Sequence, residues 1–107
     1  MNFNPEPNSS YDAKISCVPE RGWVVVQTEL SGQWERPILE LSILSVERQK
    51  LAGTLIMGVP PSFRVTLHPS GVKVGMPLLL QVRLVDTTDT SVRTIGEHSF
   101  IYESSSP

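Results

Sequence analysis

Between Tyr11 and Tyr102 the apolar residues of this chain recur at every second position, in short runs broken by turn residues. A two-residue period puts alternate side chains on opposite faces of an extended chain, so each run reads as a half-buried strand. Tyr11, Ala13, Ile15 and Cys17 alternate with Asp12, Lys14 and Ser16, and Trp23 to Leu30 is a Val-rich run closed by Ser31-Gly32. Leu39, Leu41 and Ile43 alternate with Glu40 and Ser42 within 38–46, and Leu51 to Met57 follows, closed by Gly58-Val-Pro-Pro61. Phe63, Val65 and Leu67 alternate with Arg64 and Thr66 and stop at Pro69-Ser-Gly71. Leu78, Leu80, Val82 and Leu84 share a face of 78–85, and Arg93 to Tyr102 ends the pattern. Seven such runs predict an all-β chain: an antiparallel β-sandwich of about seven strands, Ig-like in general architecture.

Composition agrees. The chain has twelve Val, six Ile and seven Thr but only two Ala. β-branched side chains lose χ1 freedom in helices and pack well on pleated sheets. With 39% hydrophobic residues and a net charge of −2, the chain does not resemble a disordered one. One domain is expected over residues 11–102, with a polar tether at 1–10 and a frayed tail at 103–107. Residues 37–52 admit a second reading. Pro37 suits a first helical position, Ile38, Leu41 and Leu44 recur at three-residue spacing, and Gly53 suits a C-terminal cap. The Leu39/Leu41/Ile43 alternation is as regular, and strand is the expectation.

The bulk numbers also exclude functions. No run approaches the ~20 apolar residues of a membrane-spanning helix, and Met1 to Ser10 has neither the basic nor the apolar region of a signal peptide. A single cysteine, Cys17, rules out an intramolecular disulfide and reads as a small buried hydrophobe. An acidic balance without aromatic-interleaved basic motifs argues against nucleic acid. Residues 48–83 hold five bases (Arg48, Lys50, Arg64, Lys73 and Arg83) and no acid. They are expected on different strands, paired with acids from either side, although this stretch is also a candidate binding face.

Little in the chain points to catalysis. His68 and His98 sit in no metal-ligand spacing, and no phosphate loop or nucleophile elbow is present. No catalytic, cofactor-binding or metal residues are assigned, and the expectation is a non-enzyme, monomeric and without cofactor. The loop Asp86-Thr-Thr-Asp-Thr90 has hairpin chemistry and lacks the framework of a calcium loop. Trp23 opens a Val-rich strand and is expected in the core. Trp34 and Arg36 lie in the polar linker Ser31-Gly-Gln-Trp-Glu-Arg-Pro37 and are the candidate partner-binding residues. The alternative for Trp34 is that it caps one end of the sandwich.

The stretch 60–84 carries a resemblance. Its Pro60, Pro61, Phe63, Leu67, Pro69, Gly75, Leu79 and Arg83 resemble the pattern of YscW/YbaY-type lipoproteins. In these a Pro-Pro-x-Phe strand leads through a proline turn and a glycine step into a strand ending near Arg-Leu. Leu39-Glu-Leu-Ser-Ile-Leu-Ser45 is similar to a preceding strand of that family. The resemblance covers residues 38–84; at the glycine step, where relatives often have an aromatic, this chain has Leu. It implies a β-sandwich lipoprotein of a Gram-negative envelope, most like a secretin pilotin of type III secretion. It further implies an N-terminal lipid holding the domain at the periplasmic face of the outer membrane, residues 2–10 as tether, and the secretin's C-terminal segment as partner. An envelope lipoprotein or Ig-like interaction module unrelated to secretion is the alternative.

Overall fold

A computed structural model describes residues 10–32, 37–58, 60–85 and 91–104. Seven strands form: β1 (Ser10–Val18), β2 (Trp23–Ser31), β3 (Ile38–Leu44), β4 (Lys50–Ile56), β5 (Ser62–Leu67), β6 (Pro77–Val85) and β7 (Val92–Ile101). They make two antiparallel sheets, ordered β1-β2-β5 and β4-β3-β6-β7. This is the antiparallel sandwich that the alternation predicts. Residues 38–44 and 50–56 are strands, so the helical reading of 37–52 falls away. The fourth strand pairs with β3, whereas in constant-type Ig domains it joins the first two strands. The first strand begins at Ser10, opposite Ser31, which brings one residue of the expected tether into the sheet.

The core lies between the sheets. β2 contributes Val24 and Val26, β3 contributes Leu39, Leu41 and Ile43, and β6 contributes Leu78, Leu80, Val82 and Leu84, all buried. These are the inward positions of the two-residue period. β3 and β6 are central strands of the larger sheet, so their inner faces are fully covered. Tyr102, just beyond β7, is also buried. Its N–H donates to the Met76 carbonyl and its own carbonyl accepts from Gly75, tying the chain end to the start of β6.

The connections follow from local chemistry. Pro19 opens a short 3-10 turn, and Gly22 closes it at φ 72 with its N–H on the Pro19 carbonyl. That left-handed conformation suits glycine because it has no Cβ. The β3–β4 turn differs: its left-handed residue is Arg48, at φ 64. The Arg48 N–H donates to the Ser45 carbonyl, and the Ser45 hydroxyl accepts from the Gln49 N–H.

Trp23 corrects the expectation of a core tryptophan. It shares the outward face of β2 with Val25, Gln27 and Glu29, while Val24, Val26 and Thr28 point inward. Only one side of a three-stranded sheet meets the core. Residues 23–26 are apolar on both faces, so composition alone misassigns the first of them. Trp23 is half-buried there, with the Arg21 guanidinium 5.2 Å from its ring centre and the His68 ring edge-on at 6.3 Å.

Candidate functional site

The outer face of the four-stranded sheet is mostly polar in the middle, with Leu55 as an exposed exception beside Glu40, and apolar at both ends of β3, β6 and β7. Register places Glu40 beside Arg83, Ser42 beside Gln81, and Gln81 beside Glu97. Toward one end Leu44 lies beside Leu79, and Pro77 beside Ile101. At the other end Ile38, Val85 and Val92 form an apolar row. A solvated sheet face normally carries polar residues at these positions.

The first of these apolar ends is a groove of about 470 Å³. The β3–β4 turn walls it with Val46 and Arg48, and β6 and β7 floor it with Pro77, Leu79 and Ile101. Val46 is 65% exposed and Ile101 46%. Among the described residues β7 pairs as a strand only with β6, so the groove opens beside an edge of the sheet.

Charge at the rim is fixed. Arg48 grips Glu97 with both arms of its guanidinium, at 2.9 and 3.1 Å, and Gln81 donates to the same carboxylate at 3.1 Å. A forked guanidinium matches a carboxylate in geometry as well as charge. The hydrogen bonds from Arg48 and then Gln81 hold the Glu97 carboxyl at about 2, below its ordinary value, so it stays ionised at neutral pH. On the same face the Arg83 guanidinium bonds Glu40, with its Nε at 2.6 Å.

Of the residues expected to matter, Trp34 and Arg36 lie outside the described residues, as does the Asp86–Thr90 loop. The five bases of 48–83 do not converge. Arg64 lies on the outer face of the three-stranded sheet, and Arg48 and Arg83 are paired with acids on the other. Cys17 is buried, its Sγ 4.0 Å from the Ile101 carbonyl, and burial pushes its thiol up. His68 follows β5 of one sheet and His98 lies on β7 of the other, where it bonds the Tyr11 hydroxyl at 3.0 Å. Among the described residues no group of three or more His, Cys, Asp or Glu side chains converges to hold a metal ion.

Sequence reasoning missed the groove residues. The available signal was apolar residues at outward positions: Leu79 inside Leu78-Leu79-Leu80, Val46 in a turn, and Ile101 at the end of β7. The Arg48–Glu97 pair gave no signal, because the partners are 49 positions apart. The residues carrying the family resemblance divide between roles. Leu67 and Pro69 are buried, Phe63 is half-buried, Arg83 pairs with Glu40, and Leu79 lines the groove.

No family model matches the chain. No curated protein sequence matches it either. Among solved structures the chain is similar to the β-glucuronidase of Parabacteroides merdae, at 14% identity with a TM-score of 0.54. The match covers 88% of this chain but 14% of the enzyme, so the chain corresponds to a small part of that protein's length. At that identity the likeness is one of fold.

Proposed function

We propose that this domain works by binding, holding an apolar segment of a partner protein in the groove beside β7. The observation that carries the reading is the groove itself: Val46, Pro77, Leu79 and Ile101 are apolar at positions facing water, beside a sheet edge that no further strand covers among the described residues. Exposed apolar surface rimmed by fixed charge suits docking, and a free edge suits a partner that adds as a strand. The resemblance of residues 38–84 to YscW/YbaY-type lipoproteins supports the identity of the partner. In this reading the domain is a pilotin-like lipoprotein, tethered by an N-terminal lipid at the periplasmic face of the outer membrane. It takes the secretin's C-terminal segment and assists assembly of the secretin there.

The test is co-purification with the secretin C-terminal segment, together with a count of secretin multimers in the outer membrane with and without this protein. Leu79→Glu and Ile101→Glu should each weaken capture at least tenfold while leaving thermal unfolding close to wild type. Capture that is absent, or indifferent to both substitutions, overturns the reading.

A second reading keeps the groove and drops the membrane: an Ig-like interaction module unrelated to secretion. The finding that favours it is the similarity in fold to a short part of a much longer protein. The coding sequence upstream separates the two, since a lipid-attachment cysteine after a signal peptide belongs to the first alone.

A further inference from the structure

The outer face of the three-stranded sheet, opposite the groove, carries four exposed charges in an ordered pattern. Register puts Asp12 directly beside Glu29, and Glu29 beside Ser62. Two residues along the strands, it puts Lys14 beside Gln27, and Gln27 beside Arg64. One row is therefore acidic and the next basic. All four charged residues are exposed, and among the described residues none of them forms an ion pair. Gln27 is occupied by Ser62, at 3.2 Å. Like charges directly opposite on neighbouring strands repel. The arrangement costs stability in the isolated chain and leaves both rows facing outward.

The two rows are complementary to themselves. A two-fold axis lying in the contact plane, parallel to the rows and midway between them, sets the acidic row of one copy over the basic row of another. Asp12 then faces Lys14 of the second copy, and Glu29 falls within reach of its Arg64. The same contacts repeat on the other side of the axis, as a closed two-fold contact requires. We propose that this face is the contact of a reversible homodimer, with a second copy of this chain as its occupant. The assignment is independent of the groove and departs from the monomer that the sequence suggests.

The area sets the strength. Three strands about 4.8 Å apart and some 30 Å long present on the order of 400 Å² per copy. Stable interfaces bury about 800 Å² per partner, so this dimer is weak and governed by charge. Exposed pairs are screened by salt, so the dimer forms at low ionic strength and dissociates at high.

The experiment is sedimentation velocity on the full chain up to about millimolar, in ~10 mM and ~1 M salt, where the screening length is about 30 and 3 Å. The wild-type chain is expected to dimerise in low salt and to be monomeric in high salt. Chains carrying D12K with E29K, or K14E with R64E, should each be monomeric in low salt, and an equimolar mixture of the two should form a heterodimer. Thermal unfolding checks that each variant folds; where a double variant does not, Asp12→Lys and Lys14→Glu alone replace it. Glu47→Lys, on the β3–β4 turn, should leave the dimer intact, and Leu79→Glu in the groove should do the same. A wild-type monomer at every concentration in low salt overturns the proposal. So does a dimer indifferent to salt, a mixture that stays monomeric, or a dimer abolished by Leu79→Glu.

Discussion

Gly96 makes room for Tyr11. A Cβ built on Gly96 would lie 1.4 Å from the Tyr11 hydroxyl oxygen and 2.7 Å from the ring carbon that bears it. Tyr11 crosses from one sheet to the other at this point and bonds His98 at 3.0 Å, so the missing side chain lets β1 be fastened to β7. Gly96→Ala should displace a stiff ring and cost about 1–3 kcal/mol by urea titration. In a Tyr11→Phe background the same change should cost less, because the closest atom is gone. Gly53 offers a contrast. Its added Cβ would clash with the tip of Lys50, which can swing into water, and would touch the Leu41 carbonyl oxygen at an ordinary 3.4 Å, so Gly53→Ala should be neutral or slightly stabilising. Thr28 is 1% exposed, and its Oγ1 has no hydrogen-bond partner among the described residues. A buried hydroxyl without a partner is destabilising, so Thr28→Val should raise stability by about 1–2 kcal/mol. Trp23→Ala should cost about 1–2 kcal/mol, against the ~3–5 expected of a core aromatic, because the ring faces outward and is held by Arg21 and His68.

At the scale of elements, the β3–β4 turn and β7 depend on each other. Arg48 holds a left-handed backbone that a non-glycine residue adopts at a cost of about 1 kcal/mol. Its guanidinium spans β6 to reach Glu97, so the side chain anchors the turn that its own backbone strains. The sign of the pH effect follows from Glu97. Its folded value, about 2, lies below the ordinary 4.5. Its contribution is therefore present in full above the unfolded value and lost as pH falls through the folded one. Acid titration of stability should show a loss between these two limits that Glu97→Gln removes. The same substitution should loosen the groove wall, read as faster amide exchange across residues 45–49.

For the molecule as a whole, stability rests on the two central strands of the larger sheet. Leu41 is fully buried on β3, between Val82 on β6 and Thr54 on β4. Leu41→Ala should cost about 3–5 kcal/mol, measured in denaturant. That is a large fraction of what a domain of this size has to lose.

The strands themselves were legible in the chain. Their inward faces, such as Leu78/Leu80/Val82/Leu84, announce themselves because burial on one side imposes a two-residue period locally. The turn signals at Gly22 and Pro69-Ser-Gly71 were equally local. What the chain concealed was the partner of each strand and the outward use of its residues. Trp23 looked like core because its neighbours are valine on both faces. Arg48 and Glu97, Tyr11 and Gly96, and the paired rows of Asp12/Glu29 and Lys14/Arg64 exist only once register is set. Alternation along a strand is a property of adjacent residues and survives in the sequence. Adjacency between strands depends on which backbones pair and at what offset, and burial of the core decides that across the whole molecule.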